Sequence, residues 1–112
     1  MRKLKEKYIM NFENVKIESN SLCGLFQEFS EKIDENISDI EHKHAYEYLD
    51  YDLNYTYGWG YANELQNNEP EKYDEYFFNM LLSFKENDYL DFFQEYFESN
   101  NLNFEITKVM SF

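Results

Sequence analysis

His42 and His44, with Asp39 and Glu41 just before them and Lys43 between, are the residues of this chain best suited by type to hold a divalent metal. A spacing of two places both imidazoles on one side of a strand and splays them apart on a helix. No third ligand follows at a fixed spacing, so a solvated connection is the expectation and no metal is assigned. Acidic pairs are the next candidates: Asp34-Glu35, Asp74-Glu75, Asp50 with Asp52, and Asp88 with Asp91. A hydrolase needs two carboxylates facing one pocket. With 23 acidic residues in the chain some pairs arise by chance, and none has the His, Lys or glycine-rich companions of such enzymes. Cys23, the single cysteine, falls early in a helical pattern, where a thiol can be activated, but no histidine lies near it in sequence. The phosphate-binding loop, the dinucleotide fingerprint and the Cys/His metal quartet are all missing. The expectation is therefore no catalytic residue, no cofactor and no enzyme.

What the charges offer is a field. The 112 residues carry a net charge of −13 from 23 acidic and 10 basic side chains. Arg2, Lys3, Lys5 and Lys7 stand in the first seven residues, and no Lys or Arg lies between Lys43 and Lys72 or between Lys85 and Lys108. Such a body repels nucleic acid and anionic membranes and attracts a basic surface. Aromatic residues make up 21% of the chain, with eleven Tyr and eleven Phe. Each buries about 150–250 Å², so a small core needs only some of them. The remaining tyrosines should stand at the surface, where rigid aromatic anchors serve protein interfaces. Tyr55, Tyr57, Trp59 and Tyr61 also resemble a base-stacking platform, but such platforms require a basic groove, and Asp50, Asp52 and Glu64 stand here instead.

These side chains need elements to hold them. The length fits one domain, read as an acidic body over residues 8–112 after a basic flexible tail over 1–7. Tyr8–Phe12 and Val15–Glu18 read as strand segments, with a turn or bulge at Glu13-Asn14 where the apolar parity changes. Ser19-Asn20-Ser21 supplies caps for an amphipathic helix over about 21–37, carried by Leu22, Leu25, Phe26, Phe29, Ile33 and Ile37. Gly24 would allow a close approach to a strand. From Leu49 to Tyr61 every odd position is Leu, Tyr or Trp and every even one Asp, Asn, Thr or Gly. Thirteen residues of alternation predict a long strand with its odd face buried. Tyr46, Leu49, Leu53, Tyr57, Tyr61 and Leu65 form a competing helical stripe, against which stand Gly58 and Gly60, each costing about 1 kcal/mol inside a helix. Pro70 opens a helix whose stripe is Tyr73, Tyr76, Phe77, Met80, Leu81 and Phe84. Asp88 reads as the N-cap of a last helix on Leu90, Phe93, Tyr96 and Phe97. Asn100 or Asn101 ends that helix in the left-handed conformation, and a strand through Leu102–Met110 follows.

The expected fold is α+β, with about three strands and three to four amphipathic helices in the order β-α-β-α-α-β, helices packed on one face of the sheet. The expected function is that of an acidic stoichiometric inhibitor occupying the basic nucleic-acid-binding surface of a nuclease or of a CRISPR or restriction effector. A phage or mobile-element anti-defence protein, such as an anti-CRISPR, and an immunity protein neutralising a nuclease toxin fit this chemistry equally; a non-inhibitory interaction module is the alternative from another class. The expected partner-binding residues are Glu71, Asp74, Glu75, Asp88, Asp91, Glu95 and Glu98, with Tyr76 and Tyr89 at the edge of the face as anchors. No direct contact with nucleic acid or membrane is expected, and the absence of an apolar run after the basic start predicts a cytoplasmic protein.

Overall fold

A computed structural model describes residues 5–111. The order of elements is β1 (Lys5–Phe12), β2 (Val15–Ser19), α1 (Leu22–Lys32), α2 (Ile37–Tyr57), α3 (Tyr61–Asn68), α4 (Pro70–Leu82), α5 (Glu86–Ser99) and β3 (Glu105–Ser111). The described residues thus form three strands and five helices, an α+β fold, with one antiparallel sheet in the order β2-β1-β3. By its internal contacts the chain divides into two compact units, one made of Met1–Ile40 and Lys85–Phe112, the other of Glu41–Phe84. Of the basic tail expected over residues 1–7, residues 1–4 lie outside the described residues, and Lys5, Glu6 and Lys7 belong to β1.

The first unit is built on a hairpin. Phe12 pairs with Val15, so the Glu13-Asn14 break in parity is a two-residue turn, with Glu13 at φ 51°. Register places Tyr8, Met10 and Phe12 on one face, beside Ile17 of β2 and Ile106 of β3. Met10 and Phe12 are buried, and rings from α1 and α5 close over them: Phe29 and Phe97 lie 5.7 and 5.1 Å from the Phe12 ring. Phe26 and Phe29 meet Phe93 across the two helices, so rings dominate a core that Met10, Leu22, Leu25 and Ile37 complete. Ser21 caps α1 by accepting from the Gly24 amide at 2.9 Å. A Cβ at Gly24 would meet the Ser19 hydroxyl, so glycine lets α1 start against β2. This helix stops at Lys32, short of the expected 37. The Asp34 carboxylate bonds the Asn36 amide and turns the chain, and Ile37 opens α2.

The second unit corrects the sequence reading. Leu49–Tyr61 is not a strand: α2 runs through to Tyr57, and α3 begins at Tyr61. The glycines that argued against a helix lie outside it. Gly58 and Gly60 take φ of 113° and 89°, form the corner between α2 and α3, and so exact no cost in a helix interior. The core is the helical stripe, in which Leu49 and Leu53 pack with Ala62, Leu65 and Tyr73. The Asn54 side chain accepts from the Ala62 amide at 2.9 Å and fixes the corner. Pro70 starts α4 as expected.

Candidate interaction surface

The residues able to do chemistry are spread apart. His42 and His44 diverge on α2: His42 meets the edge of Phe77, and His44 lies 3.6 Å from Glu47 and beside Tyr48. Among the described residues no group of three or more His, Cys, Asp or Glu is placed to hold a metal ion. The acidic pairs separate as well. Asp50 accepts a hydrogen bond from the Tyr73 hydroxyl, while Asp52 is exposed on α2. Asp34 accepts the Tyr96 hydroxyl at 2.6 Å. That bond and the Asn36 amide hold the Asp34 carboxyl below the usual carboxylate range, and burial together with Asp34 pushes the Tyr96 phenol up to about 12. Burial, with Asp50, pushes Tyr73 further up. These are structural bonds tying α5 to the α1–α2 turn and α4 to α2.

Each unit presents its own acidic face. On α4, Glu71, Asp74 and Glu75 are exposed on the side opposite Tyr73, and none forms an ion pair among the described residues. Helical phase continues this outer face into Phe78 and Leu82, which are 59% and 68% exposed. Three carboxylates and two large apolar side chains therefore share one rigid face. Tyr76 is half-buried and packs on the Leu49–Tyr73 core, so it reaches the surface only in part. The whole unit Glu41–Phe84 holds nine acidic residues against Lys43 and Lys72, a net charge of −7.

In the first unit α5 turns Asp91, Glu95 and Glu98 away from its buried side. The expected set is corrected at two positions there. Tyr89 is 6% exposed, with its ring 5.2 Å from Phe26, and cannot serve as a surface anchor. Asp88 is not the N-cap. Lys85 is, and the Asp88 carboxylate accepts from the Lys85 amide at 2.7 Å, the carboxylate half of a capping box, so its charge serves the helix start. Of the expected stripe, Phe93 and Phe97 are buried as read and Tyr96 is half-buried, while Tyr89 and Phe92 join them and Leu90 is exposed.

Sequence reasoning missed a second outward face. On α2, Glu47, Tyr51 and Tyr55 stand on the side opposite Leu49 and Leu53, with Tyr48 at the edge of that face against Phe84, and the Tyr51 and Tyr55 rings stack at 6.1 Å and 15°. At the corner after it, Trp59 is 97% exposed. The i, i+4 spacing of 47, 51 and 55 was the available signal, hidden by the alternation that put Tyr51 and Tyr55 with the core leucines.

No family model, curated protein or solved structure matches this chain. Among the described residues no helix is long and apolar enough to cross a membrane.

Proposed function

We propose that this protein is an acidic stoichiometric inhibitor, acting in the cytoplasm, that occupies the basic nucleic-acid-binding surface of a nuclease or of a CRISPR or restriction effector. The observation that carries this reading is the outer face of α4: Glu71, Asp74 and Glu75 without basic partners among the described residues, followed by exposed Phe78 and Leu82. A channel built for phosphates gathers Lys and Arg and condenses anions. Carboxylates held on a helix occupy such a channel with their geometry already set, speed encounter through complementary potential, and oppose nucleic acid directly. Charge alone gives weak and salt-sensitive binding. Phe78 and Leu82 supply the apolar contact that an interface core needs.

The same chemistry serves two settings, a phage or mobile-element anti-defence protein and an immunity protein that neutralises a nuclease toxin. The test is a salt series on the complex with the partner captured from host extract. The association rate is expected to fall steeply as salt rises, and Glu71→Lys, Asp74→Lys and Glu75→Lys together are expected to weaken binding more than about tenfold, or about 1.4 kcal/mol. A complex indifferent to salt and to the triple reversal leaves a plain interaction module as the better account.

A further inference from the structure

We infer that the outward face of α2 is an arginine-reading surface, on which tyrosine rings stack guanidinium groups and carboxylates one helical turn away grip their N–H forks. This inference rests on the reading that the protein binds a basic protein surface, and it names the side chain that surface offers. Glu47 and Tyr51 are spaced i, i+4, which places the carboxylate next to a ring on the outward face, and Tyr48 and Asp52, at the same spacing, stand at its edge, where Tyr48 rests against Phe84 and Asp52 borders Leu49 and Leu53. Asp52 and Glu47 are both exposed, and the Glu47 carboxylate reaches His44 only at 3.6 Å. Tyr51 and Tyr55 stack with their planes 15° apart, so the pair offers a flat aromatic step. No base stands in the last turn of α2, so its C-terminal carbonyls add negative potential there. Trp59 stands just past this end, held out between two glycines of positive φ.

Charge complementarity selects the occupant. An anionic aromatic platform repels the phosphates of a single strand and favours a cation. Among protein cations, the planar guanidinium both stacks flat on a ring and donates two parallel N–H groups to a carboxylate, while an ammonium approaches a ring only as a point charge and has no such fork. An apolar partner alone would leave Glu47 and Asp52 desolvated without a donor.

The experiment titrates the full chain with an arginine octapeptide and, separately, a lysine octapeptide of equal charge, read by calorimetry for every protein and, for the wild type, also by fluorescence of Trp59, the single tryptophan. The arginine peptide is expected to bind about tenfold tighter or more, with a change in Trp59 emission. The combined change Tyr51→Gln, Tyr55→Gln and Trp59→Gln is expected to bring the two peptides within about twofold of each other, while the corresponding Phe changes keep the preference. All three positions are exposed, and a thermal melt of each variant checks that it is folded. Equal binding of the two peptides by the wild type, or an unchanged ratio in the Gln variant, overturns the inference. So does binding of an oligothymidine as tight as that of the arginine peptide. None of these readouts involves displacement of nucleic acid from a partner, so failure here and failure of the inhibitor reading are separately visible.

Discussion

The hydroxyl of Tyr73, on α4, donates a 2.7 Å hydrogen bond to Asp50 Oδ1, on α2, and the ring behind it fills the centre of the second unit. One side chain thus ties two helices by both packing and a charge-assisted bond. Tyr73→Phe keeps the ring and removes the donor, leaving a half-buried carboxylate without its partner. The expected loss is about 1–3 kcal/mol in urea unfolding. An unchanged unfolding midpoint would show that the bond adds nothing beyond the ring.

Leu53 and Tyr55 stand two residues apart and face opposite ways, at 5% and 82% exposure. Leu53→Asp puts an unpaired charge among Leu49, Ala62, Leu65 and Tyr73, at a cost of several kcal/mol against a total stability of about 5–15 kcal/mol for a typical domain. The variant is expected to lose its cooperative melt. Tyr55→Gln is expected to shift stability by no more than about 0.5 kcal/mol. Equal damage at both positions would contradict the helical phase of α2.

Tyr96 and Asp34 predict how stability varies with pH. The phenol is held neutral in the folded chain, its pKa raised from 10 to about 12 by burial and by Asp34. Between those values the unfolded chain releases the proton and the folded chain keeps it. That contribution is therefore fully present below about pH 10 and is lost as pH rises toward about 12. The Asp34 carboxyl is shifted the other way, so its contribution is present above its ordinary value of 3.8 and is lost as pH falls through and below it. Chemical unfolding across pH is expected to show both slopes, and Tyr96→Phe is expected to reduce both. A variant with the wild-type profile would contradict the linkage.

Features fixed by neighbours in sequence were legible. The parity change at Glu13-Asn14 marked the hairpin, Ser21 the start of α1, Pro70 the start of α4, and Asn101, at φ 55°, the end of α5. Alternation near the C-terminal end marked β3. What failed depended on distant partners. Leu49 and Leu53 chose a helix because Ala62, Leu65 and Tyr73 cover them, and the bond from the Ala62 amide to Asn54 turned Gly58 and Gly60 into a corner. Tyr89 was misplaced because its burial depends on the Phe26 ring of α1, a contact distant in sequence, while Phe93 and Phe97 were read correctly. The acidity of α4 was legible at Glu71, Asp74 and Glu75. Phe78 and Leu82 lay outside the stripe assigned to the core, but their place beside these carboxylates on the outer face was not drawn from that phase.

The most direct test of the account is a competition titration. A fixed amount of the partner captured from host extract, loaded with its labelled nucleic acid, is titrated with this protein, and the fraction of label still bound is measured. The account predicts that bound label falls to background as the protein approaches one equivalent per site, and that raising the nucleic acid concentration restores it. A stable ternary complex, with the affinity for nucleic acid unchanged at saturating protein, would contradict it.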